Sequence, residues 1–103
     1  MRKRVWCVTI RIKRSDKSWK KPLHKRLIEF LMENKIAGAT VWTGVDGFGK
    51  RHRSTIQLEG ITIDMPMILE IVDETSKLER LLPQIKRMIN DNGIMTIRKV
   101  DEV

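Results

Sequence analysis

Residues 44–55 read GVDGFGKRHRST, the stretch of this chain whose residue types and spacing come closest to a recognisable chemistry. Gly44, Gly47 and Gly49 give the backbone access to conformations closed to other residues, so successive N–H groups can converge on an anion. Lys50, Arg51 and Arg53 follow at once, and the planar fork of arginine matches the oxygens of a phosphate. Phe48, between two of the glycines, reads as a hinge anchor whose ring packs while its neighbours move. The candidate ligand-binding residues are therefore Gly44, Gly47, Phe48, Gly49, Lys50, Arg51 and Arg53. Their chemistry is capture of a small anion or nucleotide rather than bond-making. The order of residues is neither a Walker loop nor a dinucleotide fingerprint, both of which need a strand leading into a helix. The competing reading is a solvated run of cations on a flexible connector, with the tip mobile in the absence of ligand.

The other reactive side chains form no constellation. His24 and His52 lie far apart, and no H-x-x-x-H, C-x-x-C or carboxylate pattern with metal-ligand spacing occurs, so no metal site is expected. Asp73 and Glu74 are adjacent, but at a helix start, where acids complement the dipole. The expectation is a non-enzymatic protein with no catalytic residues and no cofactor. The single cysteine, Cys7, can form no internal disulfide. Between Trp6 and Val8 it reads as a core residue without a basic neighbour to activate its thiol.

A chain of 103 residues favours one domain, here 1–103. The formal net charge is +8, and residues 1–26 alone hold eleven Lys or Arg against one acid, Asp16. Such a balance bears on partners rather than on fold. A run of about 18 apolar residues is absent, so no membrane insertion is expected, and with no signal-peptide pattern the expected location is cytoplasmic.

The elements that must position the glycine stretch follow from periodicity. VWCVTIRI (5–12) is β-branched and alternating, hence a strand. Pro22 suits a helix start, and Leu23, Leu27, Phe30 and Leu31 recur at helical spacing until Gly38 should stop the helix near Asn34–Ala37. ATVWTGV (39–45) and MPMILEIVD (65–73) are the second and third strands. Residues 73–90 carry a second helical stripe through Leu78, Leu81, Leu82, Ile85, Met88 and Ile89, which Pro83 should kink or split. IMTIRKV (94–100) is the fourth strand. The order β-α-β-β-α-β predicts an α+β, ferredoxin-like fold: a four-stranded antiparallel sheet with two helices on one face. Its strands are apolar on both sides, so the face away from the helices should meet a partner subunit. Trp6 or Trp42 should be largely buried on the sheet, and Trp19 more exposed. Some 19 residues separate Val45 from Met65, where a hairpin needs about two to five, and a connection of that length is usually functional or disordered.

SDKSWKKPLHKRLIEFL, AGATVWTGVDGFG, DMPMILEIVDETSKLERLLPQI and GIMTIRKV occur in the order seen in the uncharacterised PII-like proteins, known as domain of unknown function 190 or uncharacterised protein family 0166. The chain resembles that family over nearly its whole length. The resemblance implies a ferredoxin-like fold related to the nitrogen-regulatory PII proteins, and a homotrimer. It also implies a long loop between the second and third strands that contacts target proteins, with nucleotides binding in clefts between subunits near the loop base. The glycine-rich basic phosphate loop of PII proteins has no counterpart here, since DETSKLERLLPQIKRM contains no glycine. The resemblance thus supplies a fold and a style of function, not a ligand.

The expected function is a trimeric, PII-like sensor or regulator that binds a small anion or nucleotide near subunit clefts and presents the 46–64 loop to a partner protein. The alternative is a basic nucleic-acid-binding module on the same fold. Nucleic acid is the less expected partner, because the third strand lacks the aromatics that stack on bases.

Overall fold

The computed structural model describes residues 2–49, 52–55 and 64–103, the segment 52–55 by its backbone alone. Four strands form the main sheet: β1 (Lys3–Lys13), β4 (Gly38–Thr43), β7 (Pro66–Asp73) and β8 (Ile94–Glu102). Their order is β4-β7-β1-β8, and every neighbouring pair is antiparallel. Two helices, α1 (Leu23–Glu33) and α2 (Thr75–Ile89), complete the ferredoxin-like unit. Two small hairpins decorate it: β2 (Lys17–Ser18) with β3 (Lys21–Pro22), and β5 (Asp46–Gly49) with β6 (His52–Thr55).

Alternation sorts the sheet into two faces. Val8, Ile10 and Ile12 of β1 and Met67, Leu69 and Ile71 of β7 pack with Leu23, Leu27 and Leu31 of α1 and Leu78, Ile85 and Ile89 of α2. These side chains are buried, and burying each contributes about 1.5–3 kcal/mol. The opposite face carries Val5, Cys7 and Thr9 of β1 with their register partners Val100, Arg98 and Thr96. Ile68 and Trp42, also partners, extend it toward β4. Both helices lie on the first face; on the second, Val5, Cys7 and Thr9 are buried within the chain, whereas Trp42 toward the β4 edge is 54% exposed.

Several expectations need correction. Pro83 does not split α2, which runs unbroken from Thr75 to Ile89 with Pro83 on its exposed side. A proline there removes one ladder bond, and packing of the apolar stripe holds the rest together. The first helix ends at Glu33, and Lys35, at φ 57, reverses the chain in place of a glycine. Gly38 is the first residue of β4. Of the tryptophans, Trp6 packs partly buried against the core, whereas Trp42 is exposed because it sits on the face away from the helices. Trp19 is exposed, as expected. Cys7 is buried but has a basic neighbour after all: Arg98 Nη2 lies 3.6 Å from its Sγ, and Glu70 Oε2 lies 3.8 Å away.

Candidate functional site

The glycine stretch leaves β4 at one end of the sheet, and its backbone is tied down at once. Gly44 N–H donates to Pro66 O at 2.7 Å. A Cβ on Gly44 would come within 2.8 Å of Pro66 Cγ, so the close approach of the two chains requires glycine. Asp46 to Gly49 then form β5, which pairs with β6 in the register Asp46↔Thr55, Gly47↔Ser54, Phe48↔Arg53 and Gly49↔His52. Part of the expected long loop, Asp46–Gly49 and His52–Thr55, is therefore a two-stranded ribbon.

The return leg is held by a different set of bonds. Ser15 donates to Asp64 Oδ1 from both its N–H, at 3.2 Å, and its hydroxyl, at 2.7 Å. Lys13 Nζ stands 3.9 Å from Asp64 Oδ2, and Arg14 N–H donates to Met65 O at 2.9 Å. The turn after β1 itself is set by buried Asp16, whose Oδ2 accepts the Lys13 N–H at 2.7 Å.

Between these roots lies a cavity of about 280 Å³. Arg11 and Lys13 of β1 line one side, and Gly47, Phe48 and Gly49 of β5 another. Residues 66–68 of β7 and the turn 91–94 ahead of β8 close it. That turn lies hard against β1: a Cβ on Gly93 would fall 2.2 Å from Arg11 O, so glycine is needed to seat it. Apolar surface prevails, with cations at one side, as in sites that grip a flat apolar group and orient its charge. The turn adds one acid, Asp91, so the lining carries both signs of charge. Away from the cavity, burial holds the imidazole of His24 below its ordinary pKa, and the charges of Arg14 and Lys25 press it lower still.

Of the candidates read from sequence, Gly47, Phe48 and Gly49 line this cavity, whereas Gly44 lies outside its lining and ties the chain to Pro66, which lines it. Phe48 is not a packed hinge anchor: it is 90% exposed and borders the cavity from outside. Arg53 is placed by its backbone opposite Phe48, and its side chain lies outside the described residues, as do Lys50 and Arg51. The expected mobility of the loop tip also falls there. Arg11 and Lys13 escaped the sequence reading. Their only signal was a cation at alternate positions of an otherwise apolar strand. Among the described residues no group of His, Cys, Asp and Glu is arranged to hold a metal ion, and no helix is long and apolar enough to cross a membrane.

The family described as uncharacterised ACR, DUF190, matches residues 5–102. A UPF0166 protein of Methanocaldococcus jannaschii is 30% identical over 88 residues, which is 85% of this chain and 82% of that protein. Among solved structures, CPII of Thiomonas intermedia, a nitrogen regulatory PII-like protein bound to ADP, AMP and bicarbonate, matches with a TM-score of 0.77 at 12% identity. The match covers 99% of this chain and 91% of that one. The GlnK–ATP complex of B. subtilis matches with a TM-score of 0.60 at 13% identity, over 94% of this chain and 82% of GlnK. At these identities the structural likeness is one of fold.

Proposed function

This chain belongs to the uncharacterised DUF190 family, and on that premise we propose that it is a PII-like regulatory protein, without enzymatic activity, that assembles as a homotrimer. It takes a small anion or nucleotide in the cavity at the roots of residues 46–64 and presents that segment to a partner protein. The observation that carries this reading is the make-up of the cavity. Phe48, Ile68 and Ile94 offer apolar surface to a ring system, while Arg11 and Lys13 offer positive charge to an anion. A nucleotide has both parts, and CPII, with the same fold, was solved with ADP, AMP and bicarbonate. Support for the trimer comes from the sheet face away from the helices, where Trp42 is exposed and Ile68 and Val100 are only half-buried in the single chain.

Isothermal titration of the purified chain with ADP, AMP, ATP, cyclic nucleotides, bicarbonate and phosphate tests the site. At least one should bind with a stoichiometry of one per chain, and Arg11→Ala should weaken it about tenfold or more, equivalent to about 1.4 kcal/mol. If none binds, or if Arg11→Ala and Phe48→Ala both leave the affinity unchanged, the cavity is not the ligand site.

A further inference from the structure

The β2–β3 hairpin has no role in that cavity, yet it has an unusual tip. Lys17 pairs with Pro22 and Ser18 with Lys21, so Trp19 and Lys20 form the two turn residues. Trp19 has φ 57. Glycine or asparagine fills such a turn position without strain, whereas a bulky aromatic there is a rare outlier. The strain is not offset by packing, since Trp19 is 85% exposed. Its surroundings are cationic: Arg14, Lys17, Lys20, Lys21 and Lys25 are all exposed, and the one acid of this stretch, Asp16, is turned inward and buried. Lys21 meets Glu29 at 3.8 Å, a contact between two exposed groups that leaves the net charge of the patch positive.

We propose that Trp19, flanked by Lys17, Lys20 and Lys21, is a peripheral docking knuckle for an anionic lipid surface. The amphipathic indole belongs at the headgroup level, and lysines beside it gain from anionic lipid while their stems follow the apolar boundary. The knuckle is convex and bears a single aromatic. A single-stranded nucleic acid asks instead for a groove with several aromatics, and the other aromatics of the described residues lie elsewhere, in the sheet, in α1 and in β5. The contact needs no spanning helix, so it agrees with the absence of a long apolar segment. Antiparallel pairing brings the ends of β1 and β4 and the starts of β7 and β8 to one end of the sheet. The knuckle and the described roots of the 46–64 segment, residues 44–49 and 64–66, therefore share that end, and a lipid contact would bring those roots near the membrane.

The test is co-sedimentation of the full chain with vesicles of phosphatidylcholine alone and with about one third phosphatidylglycerol, at about 0.1 M salt. The anionic vesicles should bind at least about tenfold more protein, with a blue shift of tryptophan emission. Trp19→Asn, which tolerates the positive φ, should abolish the shift and weaken binding, and Trp19→Phe should retain most of the binding. Lys17→Gln/Lys20→Gln/Lys21→Gln should remove the preference for anionic lipid. Equal binding to both vesicles overturns the proposal, as does anionic binding that neither variant set reduces. A finding that the same residues serve only a single-stranded oligonucleotide or an acidic peptide, with no vesicle binding, also overturns it.

Discussion

The hydroxyl of Ser15 donates to Asp64 Oδ1 across 2.7 Å, joining the turn after β1 to the return leg of the 46–64 segment, residues 49 apart in the chain. The Ser15 N–H reaches the same oxygen, so one carboxylate holds two donors of the turn. The bonds are exposed, and each adds at most about 1 kcal/mol. Asp64→Ala should therefore change global stability by less than about 1 kcal/mol while speeding amide exchange at Ser15 and its neighbours. Hydrogen exchange with mass spectrometry reads both effects. Unchanged exchange at Ser15 would mean the bond does not hold the leg.

Asp73 is a stronger tie. Its Oδ1 accepts the Glu74 N–H at 2.7 Å, and its Oδ2 accepts the Ala37 N–H at 2.9 Å with Lys77 Nζ at 3.2 Å. Lys77 in turn donates to Lys35 O, so β7, α2 and the turn before β4 meet here. Burial opposes ionisation of Asp73, but the two N–H groups and the Lys77 ammonium outweigh it and hold the carboxyl below its ordinary value. A depressed folded-state pKa adds stability above the unfolded value, near 3.9, and loses it as pH falls through the folded value. Asp73→Ala should cost about 1–3 kcal/mol at neutral pH. The difference between variant and parent in a urea melt should shrink below about pH 4. A pH-independent difference would contradict this.

Two glycines should respond in opposite ways. At Gly93 a new Cβ meets Arg11 O at 2.2 Å and Ile12 Cγ2 at 2.7 Å, so Gly93→Ala should cost about 1–3 kcal/mol and distort the cavity floor. At Gly38 nothing lies within 4 Å of the new Cβ, and Gly38→Ala should be neutral or stabilising by about 0.5 kcal/mol. Paired thermal melts check both.

Pro83 stands on the exposed side of an unbroken α2 and lacks an N–H for the ladder. Pro83→Ala restores that donor, and the melting temperature should rise by the equivalent of about 1 kcal/mol or more. A fall would show that the ring is packed to advantage.

What the sequence made legible was periodic. Alternation in residues 5–12 and the leucine and isoleucine stripes of the two helices are local patterns, and each became the element it predicted. Pro83 misled because a propensity was weighed without the packing that overrides it. The cavity was only half legible. Gly47, Phe48 and Gly49 announce themselves by type, but Arg11 joins them only through the register of β1, β7 and β8. The neighbours of Cys7 show the same limit: Glu70 and Arg98 are 63 and 91 residues away in sequence, and only strand pairing brings them together. Phe48 was expected to pack its ring, and one of Trp6 and Trp42 to be buried; Trp6 packs against the core, but Phe48 and Trp42 do not. They lie instead on surfaces that this chain alone does not cover.

A PII-like assembly of this chain would carry a ligand cavity in every subunit. Native mass spectrometry of the purified protein, with and without ADP, ATP, AMP and bicarbonate, tests both parts in one spectrum. The expected spectrum shows a species near three times 12.1 kDa that takes up to one ligand per chain and loses it when Arg11 is changed to Ala. A monomer that binds none of these ligands would contradict it.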